Sequence, residues 1–153
     1  MLKILTIALT ATVFSGCASI MNDSTHPMKI ETKTADGRLV TGAECKYSND
    51  FSSGVSKLGD SIQARRSSKD LDIVCTDAAA GVATGRAVSR VNGGMFGNIL
   101  IGGGIGALID HTKGTAYTYP TWLQMIFGKS LTFDRSSEKD GQPVVGTDYS
   151  VAK

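Results

Sequence analysis

The sequence is poor in the residues that would identify a charged binding surface or a metal centre. Its 153 residues carry a formal net charge of +2 and include two histidines, three cysteines and one tryptophan. No basic cluster exceeds the pair Arg65 and Arg66, whereas a nucleic-acid-binding domain usually shows a basic patch or stripe. We therefore expect no nucleic-acid partner. Two histidines outside any Cys-x-x-Cys spacing also supply too few ligands for a zinc site, so we expect neither a metal nor a cofactor.

Signatures of catalysis are missing as well. The G-x-S-x-G motif of serine hydrolases is absent. Asp110 and His111 are neighbours in the chain, but adjacency alone does not orient a base towards its partner. Paired carboxylates for glycoside cleavage need only spatial proximity, and no feature of the sequence selects a pair. The sequence therefore predicts a non-catalytic protein, built as one small domain with appendages.

The N-terminus has the features of an export signal. Lys3 provides a short positive region, Ile4–Phe14 forms an apolar run, and two small residues then lead into Cys17. The apolar run is too short to remain in a bilayer as a spanning helix. We therefore expect a cleaved signal peptide over residues 1–16.

The residues "FSGC" that end this signal resemble the lipobox of bacterial lipoproteins. In such proteins the cysteine thiol receives a diacylglycerol, the signal is cut before the cysteine, and the new amine is acylated. The resemblance implies that Cys17 is acylated, that membrane lipid is its partner, and that residues 17–27 form a lipidated N-terminus and linker. Within this linker, His26 is expected to be solvated. Ala18 after the cysteine implies the outer membrane of the bacterial cell envelope.

The other two cysteines are predicted to form a disulfide bond. In an oxidising periplasm, an even pair that remains after lipidation is expected to be joined. The stretches "GAECKYS" and "LDIVCT" both alternate, so that Cys45 and Cys75 lie on the apolar faces of two strands. Both side chains should therefore point into a common core.

Most of the remaining chain has the pattern of short β-strands. Alternation is visible in residues 28–34, 61–66 and 81–90, and residues 129–135 could supply a last strand, with turn-forming residues between them. Close spacing of short strands is typical of a small β-sandwich. We expect this β domain to cover residues 28–135, including a glycine-rich apolar segment at residues 91–110. Residues 136–153 have a polar, turn-prone composition and are predicted to be a disordered tail.

The order of these features resembles a known group of proteins. A lipobox, the cysteine-bearing "GAECKYSND" and "DLDIVCTD", then "GNILIGGGIGALID" and an aromatic "AYTYP", is similar to a widespread group of bacterial envelope lipoproteins with a PEGA-like β domain. The resemblance covers most of residues 17–135, although the "PEGA" tetrapeptide itself is absent. It implies an envelope lipoprotein with a non-catalytic β domain, and more weakly a domain that contacts surface polymers.

The glycine-rich segment allows several interpretations. A dinucleotide loop at Gly102, Gly104 and Ala107 is disfavoured, because no acidic residue follows at the required distance of about 20 positions. A transmembrane helix over residues 93–109 is also disfavoured. Such a helix would be about 25 Å long, which is short of a hydrocarbon core of roughly 30 Å. Glycines four residues apart instead favour close backbone approach in a helical hairpin, folded onto the sheet or used against lipid or another copy. This close-packing set is Gly93, Gly97, Gly102 and Gly106.

Two functions remain open from the sequence. The first is a structural or interaction module of the envelope, docked to an envelope protein or to a second copy. The second is a module that binds a cell-wall or surface polysaccharide. For the second, Tyr117, Tyr119 and Trp122 are the aromatic residues that could stack on sugar rings, although the same residues could instead pack at the edge of the domain.

Overall fold

The computed structural model describes residues 24–57, 61–91 and 114–149. These ranges contain no α-helix; they consist of β-strands, turns and one short 3-10 helix, η1 (Arg135–Ser137). The mainly β prediction is confirmed. The helical hairpin was predicted for residues 91–110, which lie outside the described residues except for Val91. The strands are β1 (Thr25–Lys33), β2 (Glu44–Ser48), β3 (Ser53–Lys57), β4 (Ser61–Arg65), β5 (Leu71–Asp77), β6 (Gly81–Ala87), β7 (Arg90–Val91), β8 (Tyr117–Thr118), β9 (Trp122–Ile126), β10 (Ser130–Phe133), β11 (Val144–Val145) and β12 (Thr147–Asp148).

The strands form two main sheets that face each other. One sheet has the order β11-β9-β1-β4, and the other has the order β12-β10-β6-β5-β2-β3. β1 runs parallel to β9 and antiparallel to β4. β10 likewise runs parallel to β6, whereas β6, β5, β2 and β3 are joined by antiparallel pairings. A separate ladder pairs β7 with β8.

The core lies between the sheets and follows from alternation along each strand. β1 buries His26, Met28, Ile30 and Thr32, while the residues between them are exposed or half-buried. Because successive side chains of a strand point to opposite faces, this period of two gives each sheet one apolar face. The two apolar faces meet closely: a Cβ placed on Gly85 of β6 would lie within 2.9 Å of the Met125 methyl group of β9. The absence of a side chain at position 85 therefore allows this approach.

The strand registers define two ends of the sandwich. The chain enters β1 at Thr25, which pairs with Arg65 at the end of β4. At this entry end lie the β2–β3 turn, the β4–β5 loop and the connection from β8 to β9. The opposite, far end contains Lys33, the last residue of β1, and its bridge partner Leu39.

The disordered tail predicted for residues 136–153 is wrong for the part that the structure describes. Residues 144–148 form β11 on one sheet and β12 on the other. Val144 pairs with Leu123 of β9 and is 1% exposed, and Gly146 makes the crossover between the sheets. A polar segment is therefore ordered here because its backbone completes two sheet edges and one of its valines enters the core.

Candidate functional site

The predicted disulfide between Cys45 and Cys75 is confirmed. The two residues lie directly opposite each other on the neighbouring antiparallel strands β2 and β5, with a Cα–Cα distance of 4.0 Å. Their exposures are 1% and 0%, so both face the core, as their alternating sequences indicated. The bond joins two adjacent strands of the six-stranded sheet and closes a sequence separation of 30 residues.

Tyr119 is a core residue and offers no surface on which a ligand could stack. It is completely buried, and its hydroxyl donates a hydrogen bond to the Lys69 carbonyl at 2.8 Å and accepts one from Asn49 Nδ2 at 3.0 Å. Burial raises the pKa of the phenol above its usual value. Its ring also contacts the ring of His26 edge to face, with centroids 6.3 Å apart. These contacts assign Tyr119 to internal packing and not to the predicted stacking set.

His26 is also buried, so the expectation of a solvated linker residue is wrong. Its exposure is 5%, and its Nδ1 lies 3.0 Å from the Thr118 hydroxyl. Burial is the main cause that lowers its pKa to about 4, followed by the positive charges of Arg66 and Arg135. The sequence did contain a signal: the alternation of Met28 and Ile30 continues back to His26 across Pro27. Pro27 is tolerated there because β9 begins to pair only at Lys29.

Arg66 connects the three segments that meet at the entry end. Its backbone N–H donates to the Ser24 carbonyl at 2.9 Å, and its side chain donates to the carbonyls of Thr25 at 3.1 Å and Tyr117 at 2.9 Å. Gly114, with a φ of 76°, approaches Arg66 so closely that a Cβ would collide with its carbonyl oxygen. The start of β1 and the return of the chain at Gly114 are therefore fixed side by side.

The glycines of the close-packing set lie outside the described residues, but the two points at which the chain leaves and re-enters are described. Arg90 pairs with Thr118 and Val91 pairs with Tyr117 in the β7–β8 ladder. The described chain thus ends at Val91 in β7 and resumes at Gly114, three residues before β8, the strand that pairs with β7. Tyr117, another predicted stacking residue, is half-buried in this ladder.

Trp122, the third residue of the predicted stacking set, borders a cleft. It begins β9 and is half-buried on the outer face of the four-stranded sheet. Its neighbour in the register, Lys29, places its ammonium group 4.0 Å from the centroid of the indole ring. The indole N–H is buried and has no hydrogen-bond acceptor among the described residues. Tyr117, Tyr119 and Trp122 therefore do not form a common aromatic surface: one lies in a ladder, one in the core and one on the outside.

The cleft beside Trp122 has a volume of about 390 Å³ and polar walls. Glu138 organises one side, because its carboxylate accepts hydrogen bonds from both the backbone N–H, at 2.7 Å, and the hydroxyl of Thr121. Arg135 pairs with the same carboxylate at 3.3 Å. The arrangement offers carboxylate, amide and ammonium groups to a polar ligand. Its lining residues are Thr121, Trp122, Arg135, Glu138, Lys139, Asp140, Gly141 and Gln142.

The predicted lipidation site, Cys17, lies outside the described residues, so its acylation stays a prediction. Within the described ranges, no group of three or more His, Cys, Asp or Glu side chains is placed to hold a metal ion. In the same part of the chain no helix has the length and apolar character to cross a membrane.

Comparison of the sequence and structure with protein-family models, curated proteins and solved structures gives no significant match.

Proposed function

We propose that the chain is a non-catalytic lipoprotein of the bacterial outer membrane, anchored through acylated Cys17, and that its β domain acts as a structural or interaction module of the envelope. The supporting observation is the position of the first strand. β1 starts at Thr25, eight residue steps after Cys17. A fully extended chain spans at most about 3.6 Å per residue, so the domain would begin within about 29 Å of the anchor. Such a short connection suits a domain that works close to the membrane.

Metabolic labelling with a radioactive fatty acid tests the anchor. The native chain should incorporate label, and Cys17→Ala should not, because the acceptor thiol is gone. The matched control is the double variant Cys45→Ala, Cys75→Ala, which should keep the label because these sulfurs are buried in a disulfide. Label retained by Cys17→Ala would contradict the proposal.

A second function, binding of a cell-wall or surface polysaccharide, is favoured by the cleft beside Trp122. The cleft combines an indole ring with carboxylate and amide side chains, including those of Glu138 and Gln142. Such a combination is suited to sugars, whose rings stack on aromatic faces and whose hydroxyls need polar partners. The Lys29 ammonium covers the ring at 4.0 Å, so a stacking sugar would have to displace it.

Because a sugar would have to displace Lys29 from the indole ring, substitutions at Lys29 and at its register partner Trp122 should have opposite effects on binding. In a pull-down on peptidoglycan, Trp122→Ala should abolish retention if the indole stacks on sugar. Lys29→Ala should increase retention, because it uncovers the ring. Gln124→Ala is the matched control, since Gln124 is two residues further along the outer face of β9 and does not line the cleft. Equal retention of the native protein and the three variants would exclude the cleft as a polysaccharide site.

A further inference from the structure

The entry end of the sandwich combines three features on one surface. It receives the chain from Cys17, it contains both points at which the glycine-rich segment leaves and re-enters, and it presents exposed apolar side chains. Arg66 links the first two features through its hydrogen bonds to Thr25 and Tyr117. The exposed apolar side chains are those of Phe51 and Val91, which are 46% and 49% exposed.

The turn that carries Phe51 is held in place by Asn49. The Asn49 side-chain oxygen accepts hydrogen bonds from the backbone N–H groups of Phe51 and Ser52, both at 2.9 Å. Its amide nitrogen donates to the Arg65 carbonyl at 2.6 Å and to the Tyr119 hydroxyl at 3.0 Å. Because Tyr119 is fully buried, the turn is tied to the core. Phe51 is therefore presented to the outside by a fixed turn.

The surroundings of Phe51 suit a boundary between water and lipid. The guanidinium carbon of Arg65 lies 5.4 Å from the centroid of the Phe51 ring. Aromatic side chains enter the boundary between headgroups and acyl chains, and neighbouring arginines can bind lipid phosphates. Arg65 pairs in the β1–β4 register with Thr25, which places this pair of side chains beside the point where the chain arrives from Cys17.

We propose that the entry end lies against the lipid bilayer, with Phe51 inserted at the interface and Arg65 at the level of the phosphates. This inference rests on the proposed acylation of Cys17. The connection from that residue to Thr25 reaches at most about 29 Å, and it joins the domain at the same end as Phe51. A surface so close to a membrane anchor has the bilayer as its nearest partner.

The far end provides a matched control. Leu39 is an exposed apolar residue with 52% exposure, close to the value for Phe51. It bridges to Lys33, at the opposite end of the nine-residue strand β1. At about 3.3 Å per residue, β1 separates the two ends by about 26 Å. Lipid contact at the entry end therefore leaves Leu39 in water.

Fluorescence quenching in vesicles tests the orientation. The full acylated chain would carry Trp122→Phe, which removes its only tryptophan, and then either Phe51→Trp or Leu39→Trp. Each protein is reconstituted into phosphatidylethanolamine–phosphatidylglycerol vesicles with or without brominated acyl chains. We expect brominated lipid to reduce the fluorescence of Phe51→Trp at least about twofold, because the indole would lie at the acyl boundary, and to leave Leu39→Trp nearly unchanged.

The outcomes separate this inference from the anchor on which it rests. Flotation of the vesicles reports the anchor, and circular dichroism verifies that both variants are folded. If the protein floats with the vesicles but bromine quenches neither tryptophan, or quenches both equally, the orientation is wrong and acylation stands. If the protein does not float, the anchor itself is wrong and the orientation is overturned with it.

Discussion

Two adjacent valines near the C-terminus give a direct test of whether the polar tail is part of the folded domain. Val144 is 1% exposed and packs in the core, whereas its neighbour Val145 is 62% exposed. Both belong to β11 and pair with β9, so replacement by alanine leaves the same backbone hydrogen bonds in place. The two variants differ only in whether the removed methyl groups were buried.

The expected cost follows from burial. Val144→Ala removes the equivalent of two buried methylene groups, which is about 1.6 kcal/mol at about 0.8 kcal/mol each. The residual cavity adds to this loss, so the free energy of unfolding should fall by about 2–3 kcal/mol in total. For a domain of this size the melting temperature should drop by at least about 8 °C. Val145→Ala should stay within about 0.5 kcal/mol of the native protein.

Urea unfolding followed by circular dichroism measures both variants against the native chain. The buried valine is predicted to shift the midpoint strongly with little change in slope, because only stability has changed. If Val144→Ala and Val145→Ala were equally neutral, residues 144–148 would not be packed on the sandwich. The interpretation of this segment as two edge strands would then be refuted.

Three further predictions concern the core and its pH dependence. The unreduced mature protein should show by mass spectrometry the loss of two hydrogens at Cys45 and Cys75, and replacing both by alanine should cost about 3–4 kcal/mol because the bond closes a separation of 30 residues. The pKa of His26 is lowered to about 4 from its ordinary value of 6.5, so the unfolded chain binds the proton first on acidification. The free energy of unfolding should therefore decrease by up to about 3 kcal/mol between about pH 6.5 and 4. This decrease should be absent in His26→Gln. Gly146→Ala should cost about 1–3 kcal/mol, because its Cβ would lie 2.7 Å from a core side chain, whereas Gly42→Ala, with its nearest atom at 3.6 Å, should be neutral; thermal melts of the two variants compare them.

The sequence by itself determined the strands whose side chains alternate strongly and indicated that the two cysteines on them share a core. Cys45 and Cys75 each lie within an alternating apolar pattern, and a period of two places such residues on one face whatever the neighbouring strands are. The pattern could not identify which strands are neighbours. That β2 and β5 are adjacent, with the cysteines in register, follows from their pairing in the sheet.

Strand β9 was not among the strands predicted from the sequence, although it has the alternating pattern of a strand. Leu123 and Met125 alternate with outward-facing residues and are fully buried. The aromatic residues Tyr117, Tyr119 and Trp122 in the adjoining "AYTYPTW" are equally compatible with ligand stacking. Aromatic side chains suit a core as well as a binding surface, so the sequence alone could not separate Tyr119, which is buried, from Trp122, which borders a cleft.

Only the tertiary structure decided that residues 136–149 are ordered and how the segments at the entry end are arranged. Residues 136–149 contain too few apolar side chains to form structure alone, and they are ordered because β9 and β10 offer unpaired edges to β11 and β12. Likewise, Arg66 brings Thr25 and Tyr117 together although they are distant in the chain. Local patterns record which face of a strand is apolar. The contacts between these distant segments are made to backbone N–H and carbonyl groups, which every residue carries apart from the missing N–H of proline. Such contacts therefore leave no mark in composition.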